Sequence, residues 1–533
     1  MAPMRTRTLS SLVLVGVVLA VYGASLGGGF VWDDAELIVA KAPFFAAKGS
    51  AGAVLSSSDT GLYHDATPYY RPVTTLSFLA SYRLFGLAPF WWRLASVLLH
   101  AGCVLLLFRL GAWLFVDERA GFVAALLFAV HPAAVEAVAF VTARNNLLCA
   151  GGLLGALLAL RLRGAIAVAG GLLLFALALL SKEPAVVLPP FLLGLALVAH
   201  EPRLRPRPLV LVLFFGALAA YFGLRTLVLG TAAPAAAAGD PAARGGLIVG
   251  SIYESLRILV LPLHLNASYA SAAVAFSVPK LLAVLAGLAA LGWGALSRCC
   301  PDPLRAGSLW LLLGLLPIAN VVPIPSAPVA ERYLYVPALG FAVVLAAGWA
   351  ALASRRARLA TIAVLLLAAA LGVRAAVRTT VWTDDRRLYE SMVASDPANA
   401  SAHYNLGNLR ADTGDIEGAI AAWRAAVAAQ PRHVGAHNNL GNAYAMTGRY
   451  ALARAHYQAV RELDPGEAMA LYNLARIADL EGWPDEATAL YRGYLTAERR
   501  GADPQRAALL TRARDRLAAL EAAPPAPPAT RPR

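Results

Sequence analysis

The strongest constraint on the fold is a succession of apolar runs, each close to the roughly 17 to 25 residues needed to cross about 30 Å of hydrocarbon. They fall near residues 9–26, 92–115, 120–138, 147–160, 165–180, 184–199, 208–228, 279–297, 306–322, 335–352 and 358–375. Charged residues make up 15% of the chain and hydrophobic ones 59%, where a soluble chain carries about a quarter charged residues. The pattern predicts an all-α fold, a polytopic transmembrane helical bundle of about eleven spans over residues 1–380. The stretch 247–262 reads either as a further span or as a helix lying in the interface.

Basic residues in the short loops set the orientation. Arg5 and Arg7, Arg119, Arg161 and Arg163, the run Arg203 to Arg207, Arg298 and Arg305, and Arg355, Arg356 and Arg358 all fall on one side, which the positive-inside bias makes cytoplasmic. The N-terminus is then cytoplasmic, and with an odd number of spans the C-terminal region lies outside. If 247–262 also crossed, the Arg355 cluster would land on the wrong face. The N-terminal run has no convincing small-residue cleavage site, so an uncleaved first span is expected. The net charge of +14 is dispersed over separate loops, with no basic stripe interleaved with aromatics, which argues against nucleic acid. The cysteines form no CxxC metal pattern and no external disulfide framework.

From about residue 384 the composition turns polar and a repeat appears. Tyr404-Asn405-Leu406-Gly407-Asn408 recurs as Asn438-Asn439-Leu440-Gly441-Asn442 and, more loosely, as Tyr472-Asn473-Leu474-Ala475-Arg476, at a step of 34 residues. Pro397, Pro431 and Pro465 keep that step, as do Gly414, Gly448 and Gly482. A 34-residue helix-turn-helix period is the tetratricopeptide signature, so 384–521 is expected to be an α-solenoid, with a disordered Pro-rich tail at 522–533. Such arrays bind extended peptides or partner proteins on a concave face.

Ionisable residues cluster at the span ends on the side opposite the basic loops. Groups at membrane depth cost several kcal/mol unless they face a wet cavity or a partner, so their convergence reads as a site. Asp33 and Asp34 follow the first span, at the start of a long first external loop, 27–91, expected to form short helices along the membrane surface. A partly desolvated carboxylate there suits a base acting on a hydroxyl. Glu136, in His131-Pro132-Ala133-Ala134-Val135-Glu136, lies among apolar residues and needs a cationic or hydrogen-bonding partner, for which Arg144 or Lys182 could serve. Lys182 and Glu183 interrupt an apolar run, and Glu331 and Arg332 precede Tyr333-Leu334-Tyr335. An Arg at that depth suits an anionic phosphate, because its planar fork donates two charge-assisted hydrogen bonds. Arg71, in Tyr69-Tyr70-Arg71-Pro72, completes the set. The alternative for the charged pairs is internal salt bridging, and for His131 a capping or interface role.

In their order and spacing, the Asp pair, the Tyr-Arg-Pro turn, His-Pro-x-x-x-Glu, Lys182-Glu183, Glu331-Arg332-Tyr333-Leu334-Tyr335 and the trailing repeats resemble the transmembrane and tetratricopeptide-repeat O-mannosyltransferases, of the GT-C type of membrane glycosyltransferase. The resemblance implies transfer of a sugar, mannose, from a polyprenyl phosphate in the lipid to a hydroxyl of an extracytoplasmic acceptor protein held by the repeats. It places catalysis on Asp33 or Asp34, and the residue chemistry adds Glu136 to the catalytic set. Lys182, Glu183, Glu331, Arg332, Arg71, His131, Arg144 and Tyr335 would bind the lipid phosphate and substrate. The short array points to a bacterial relative in the inner membrane, with the repeats periplasmic. Two other readings compete: a ligase moving an oligosaccharide from a polyprenyl pyrophosphate, and a non-enzymatic scaffold that recruits partners through its repeats. The Asp pair could hold Mg²⁺ or Mn²⁺, but no complete ligand set is evident, and no cofactor is certain.

Overall fold

The computed structural model describes residues 2–56, 69–162, 164–230, 241–269, 274–322, 324, 327–497 and 504–522. Arg163, the middle of the first external loop and the Pro-rich tail beyond Ala522 lie outside them. Among the described residues the chain is helical with no strand, and it divides into two compact units, Met1–Ser391 and Met392–Arg533.

In the first unit six helices are long and apolar enough to cross a membrane: Arg7–Gly27, Pro89–Phe115, Val141–Leu160, Pro202–Leu229, Val278–Leu296 and Glu331–Val381. A seventh is added if Glu118–Val130 and Pro132–Ala139, bent by 58°, form one span. The expected eleven windows map onto fewer uninterrupted helices for local reasons. Pro132 lacks the N–H that would continue the helix, and His131 turns to extended backbone there (φ −73°, ψ 125°). Ala165–Leu179 and Glu183–Val198 are short apolar helices separated by the Lys182 turn. The windows 335–352 and 358–375 share one helical stretch, Tyr335–Val381, broken at Arg356 (φ −145°, ψ 68°), inside the basic cluster expected between them. The stretch 247–262 falls mostly in the helix Pro241–Val260, which carries Arg244, Glu254 and Arg257 and is not among the six.

Prolines at first helical turns open several of these helices, including Pro72–Phe85, Pro89–Phe115 and Pro208–Leu229, where the missing N–H costs nothing. The first external loop carries the short helices Ala42–Ala46 and Ser50–Ser56, and Ile38, Phe45, Phe78, Leu79, Trp92 and Val141 form a core beneath it. That core fixes the segment after the first span against the helix starts that hold the charged motifs.

The second unit is a stack of antiparallel helix pairs: Ala400–Asp412 with Ile416–Ala429, Val434–Met446 with Tyr450–Leu463, and Ala468–Leu480 with Pro484–Ala497, followed by Pro504–Ala522. Side chains of Asn399, Asp415, His433 and Glu467 cap helix N-termini by accepting backbone N–H bonds. Gly414, Gly448 and Gly482 turn between the paired helices with φ of +82°, +73° and +77°, a conformation open mainly to glycine. Ile420, Trp423, Leu440, Tyr444, Tyr457 and Leu474 form a core shared by successive repeats, and Tyr472, Tyr491, Tyr494 and Leu510 form a second one under the last helices.

Candidate functional site

The acidic pair sits on a turn with strained backbone. Trp32 has φ +52°, a left-handed conformation uncommon for a residue with a large side chain. The next two carboxylates therefore point into different surroundings. Asp34 is fully buried: its Oδ2 accepts the Val31 N–H at 3.2 Å and its Oδ1 the Thr142 N–H at 2.9 Å. Burial pushes its carboxyl up to about 7, against the downward pull of those two N–H groups and of Arg93. Asp33 is only partly buried and interacts electrostatically with Arg332.

Arg332 lies in the 3-10 turn Glu331–Leu334. Its backbone N–H donates to Glu136 Oε2 at 2.8 Å, and its guanidinium pairs with Glu136 Oε1. The bend after Val130 brings Glu136 to this partner, which is neither of those expected. The guanidinium stands 5.8 Å from the Trp32 ring and 5.2 Å from the Tyr333 ring. Lys182 Nζ lies 5.2 Å from that same Tyr333 ring and donates to Asn146 Oδ1 at 2.6 Å. Tyr333 thus has a cation at each of two approaches.

Arg71 donates to both oxygens of Glu183, at 3.0 and 2.6 Å, and lies 4.1 Å from the Tyr69 ring. Arg225 approaches the same carboxylate at 3.7 Å. Burial, followed by the charges of Arg71 and Arg332, lowers Lys182 to about 7. Four cations, Arg71, Lys182, Arg225 and Arg332, therefore converge on two firmly paired carboxylates, Glu136 and Glu183. A partly desolvated cluster with excess positive charge, walled by aromatic rings, is suited to an anion with a planar or apolar neighbour.

Four other residues singled out in the sequence are engaged elsewhere. Glu331, fully buried, pairs with Arg378 at 2.9 Å and accepts from Tyr269 OH at 3.5 Å. Tyr335 is fully buried and donates its hydroxyl proton to His100 Nδ1 at 2.7 Å, in the arrangement where His100 Nε2 donates to Ala129 O. His131 Nδ1 accepts the Ala133 N–H at 3.2 Å, so its Nε2 carries the proton and donates to Leu259 O at 2.9 Å. Arg144 bonds Ser81 Oγ at 2.8 Å and Trp92 O at 2.9 Å, and lies 5.5 Å from the rings of Phe78 and Trp92. It joins the helices opening at Pro72 and Pro89, so it is not the partner of Glu136. Among the described residues no three His, Cys, Asp or Glu side chains come together as metal ligands.

Trp32, Tyr333, Asn146 and Arg225 belong to the cluster but are not among the residues the sequence singles out for the site. Arg225 had a signal, an arginine inside the apolar run 208–228. Asn146 had none, because an amide near a helix start is unremarkable until a lysine reaches it.

A tetratricopeptide repeat family model matches residues 404–468 and 447–507. Over 76% of its length the chain is 29% identical to a protein O-mannosyl-transferase of Caenorhabditis elegans, of which 60% is covered. It is 27% identical to the mouse and 28% identical to the human protein O-mannosyl-transferase TMTC4, covering 78% and 77% of this chain and 66% and 65% of theirs. The chain thus spans less than two thirds of these relatives' own length. An Archaeoglobus fulgidus oligosaccharyltransferase overlaps 70% of this chain and 55% of its own at 14% identity, with a TM-score of 0.41, below the level that shows a shared fold.

Proposed function

We propose, with the kinship to protein O-mannosyl-transferases as premise, that this chain is a membrane glycosyltransferase. It moves a sugar, mannose, from a polyprenyl phosphate in the lipid to a hydroxyl of an extracytoplasmic protein, and its repeats engage the acceptor. The observation that carries this reading is the cluster of Arg71, Lys182 and Arg332 around Tyr69 and Tyr333, with Asp33 on the Arg332 side. The loop charges support a cytoplasmic N-terminus, with this cluster and the repeats on the opposite side of a bacterial inner membrane.

Asp33 acts as the base. It takes the proton of a Ser or Thr hydroxyl as that oxygen bonds to the anomeric carbon of the sugar, and the bond from that carbon to the phosphate oxygen breaks. The donor is a phosphodiester monoanion and the leaving polyprenyl phosphate a dianion, so negative charge grows where the cations stand. Lys182, Arg332 and Arg71 stabilise that growing charge more than the ground state, which is how the cluster lowers the barrier. A single displacement inverts the anomeric centre. Glu136 and Glu183 hold Arg332 and Arg71 in place, and Asp34 ties the Asp33 turn to Thr142 and is not the base.

The test is transfer of radiolabel from polyprenyl-phosphate mannose to membrane and periplasmic protein at matched expression. Asp33→Asn should lower transfer about 10² to 10⁴-fold while the protein remains folded. Asp33→Asn with full activity would remove the base assignment, and no transfer by the wild type would remove mannose as the sugar.

A further inference from the structure

The segment that carries the acidic pair is fastened to residues 382–385 by bonds that the transfer chemistry does not use. The Gly29 N–H donates to Thr383 O at 2.9 Å, and the Trp32 N–H donates to Asp385 Oδ1 at 2.8 Å. Arg93, fully buried, bridges the two strands of chain by donating to Gly29 O at 2.9 Å and to Trp382 O at 2.8 Å. The approach is close at backbone level, since a Cβ on Gly28 would stand 2.8 Å from Thr383 Cα. Trp32 stacks on Phe140 at 5.7 Å, and Phe140 stacks in turn on Trp382 at 5.2 Å.

Within this contact one bond falls at the point where the backbone is least able to hold itself. Trp32 at φ +52° is in a conformation that persists only where its surroundings over-determine it, and its N–H is taken by Asp385. The residue after it is Asp33. The adjacent acid, Asp384, already supplies the helix cap, accepting the Arg387 N–H at 2.9 Å, so Asp385 is not needed to start that helix. The geometry points to Asp385 as a positioning residue: by holding the Trp32 N–H it keeps the left-handed turn, and so aims the Asp33 carboxylate and keeps the Trp32 ring over Arg332. This role rests on the glycosyltransferase reading, but the clamp itself is a property of the fold and is testable without it.

The experiment uses the full chain in native membranes and in reconstituted vesicles, with three variants. Asp385→Ala removes the acceptor. Asp385→Asn keeps an oxygen that can accept the Trp32 N–H and removes only the charge. Asp384→Ala tests the neighbouring carboxylate. Asp385→Ala should lower kcat for transfer from polyprenyl-phosphate mannose about 10²-fold, as misplacement of a reacting group by about 1 Å does, with KM for the donor within about twofold. Asp385→Asn should stay within about threefold of wild type, and Asp384→Ala should match it. Hydrogen exchange of the peptide covering 28–34 gives a readout that needs no donor: it should quicken in Asp385→Ala and in neither of the other two.

Wild-type kcat in Asp385→Ala, or Asp385→Asn as damaged as Asp385→Ala, would overturn the role, as would unchanged exchange at 28–34. If the wild type transfers no sugar while exchange quickens only in Asp385→Ala, the clamp stands and the glycosyltransferase reading fails alone. Should Asp385→Ala not fold, Asp385→Leu, which also lacks an acceptor, takes its place against Asp385→Asn.

Discussion

In the membrane unit Arg332 is joined to Glu136 across 196 residues of chain, with side chains 13% and 0% exposed; in the repeat unit Arg449 is joined to Glu417 across 32 residues, with side chains 42% and 63% exposed. Both are arginine–glutamate pairs, yet they do different work. The first removes two charges from water and repays that desolvation only through close geometry and a second bond from the Arg332 N–H. The second remains in solvent, where screening and side-chain entropy cancel most of the attraction. Charge at Arg332 and Glu136 fixes positions, whereas at Arg449 and Glu417 it trims stability.

The sharpest way to break this comparison is to remove one buried partner. Glu136→Ala leaves the Arg332 guanidinium without its carboxylate, and the expected cost is about 3 to 5 kcal/mol of stability, read as a lower melting temperature of the solubilised protein. Melting at the wild-type temperature would mean that water already reaches the pair, and the contrast with the repeats would fail. A smaller effect is expected at Asp34. Its two oxygens accept two backbone N–H bonds, from Val31 and Thr142, and an asparagine has one acceptor oxygen for both. Asp34→Asn should cost about 1 to 3 kcal/mol, the penalty for one buried donor left unmatched. A variant as stable as the wild type would show that the Thr142 or Val31 N–H finds water instead.

Lys182 sharpens the comparison through pH. Burial and the neighbouring cations lower it to about 7, so it is cationic below that pH and neutral above. In the proposed transfer a neutral amine no longer clamps the donor phosphate, so kcat/KM for the donor should fall as pH rises through about 7, by up to about tenfold per unit. Lys182→Arg keeps its charge across this range and should abolish that limb. If the limb persists in Lys182→Arg, a different group titrates.

How much of this was readable beforehand differs between the units for the same reason the charges do. The repeats are local: each 34-residue step carries its own glycine turn and its own packing aromatic, as Gly414 and Trp423 or Gly448 and Tyr457 show, so neighbours in sequence are neighbours in space. In the membrane unit the individual motifs stand out, because an ionisable residue in an apolar run is conspicuous. Their partners do not. Arg144 and Lys182 are the partners the sequence offers Glu136, yet the packing of the helices opening at Pro72 and Pro89 claims Arg144 for Ser81 and Trp92 O, and Lys182 turns to Asn146. Glu331 and Arg332 are adjacent in sequence yet turn to different carboxylate and guanidinium partners, because a 3-10 turn sends consecutive side chains in different directions. The long helix broken only at Arg356 shows the same limit, since hydropathy marks two windows there and not whether helical backbone runs between them.

The smallest expected effect lies at the Arg449–Glu417 pair and completes the contrast. The pair links consecutive repeats, so a reading based on distance alone would give it the same weight as Arg332–Glu136. Its surroundings argue otherwise. Both side chains are open to water, the Arg449 guanidinium keeps its contact with the Tyr444 ring at 5.8 Å whether or not Glu417 is charged, and the interface between these repeats is already closed by Trp423, Leu440, Tyr444 and Tyr457. Glu417→Gln should therefore shift stability by about 0.2 to 1 kcal/mol, with the shift shrinking as salt is raised toward 1 M, where the Debye length is about 3 Å. The same salt titration on Glu136→Ala should leave its larger deficit nearly unchanged, because a pair shut away from solvent is screened little. Equal salt sensitivity at the two sites would show that burial is not what separates them.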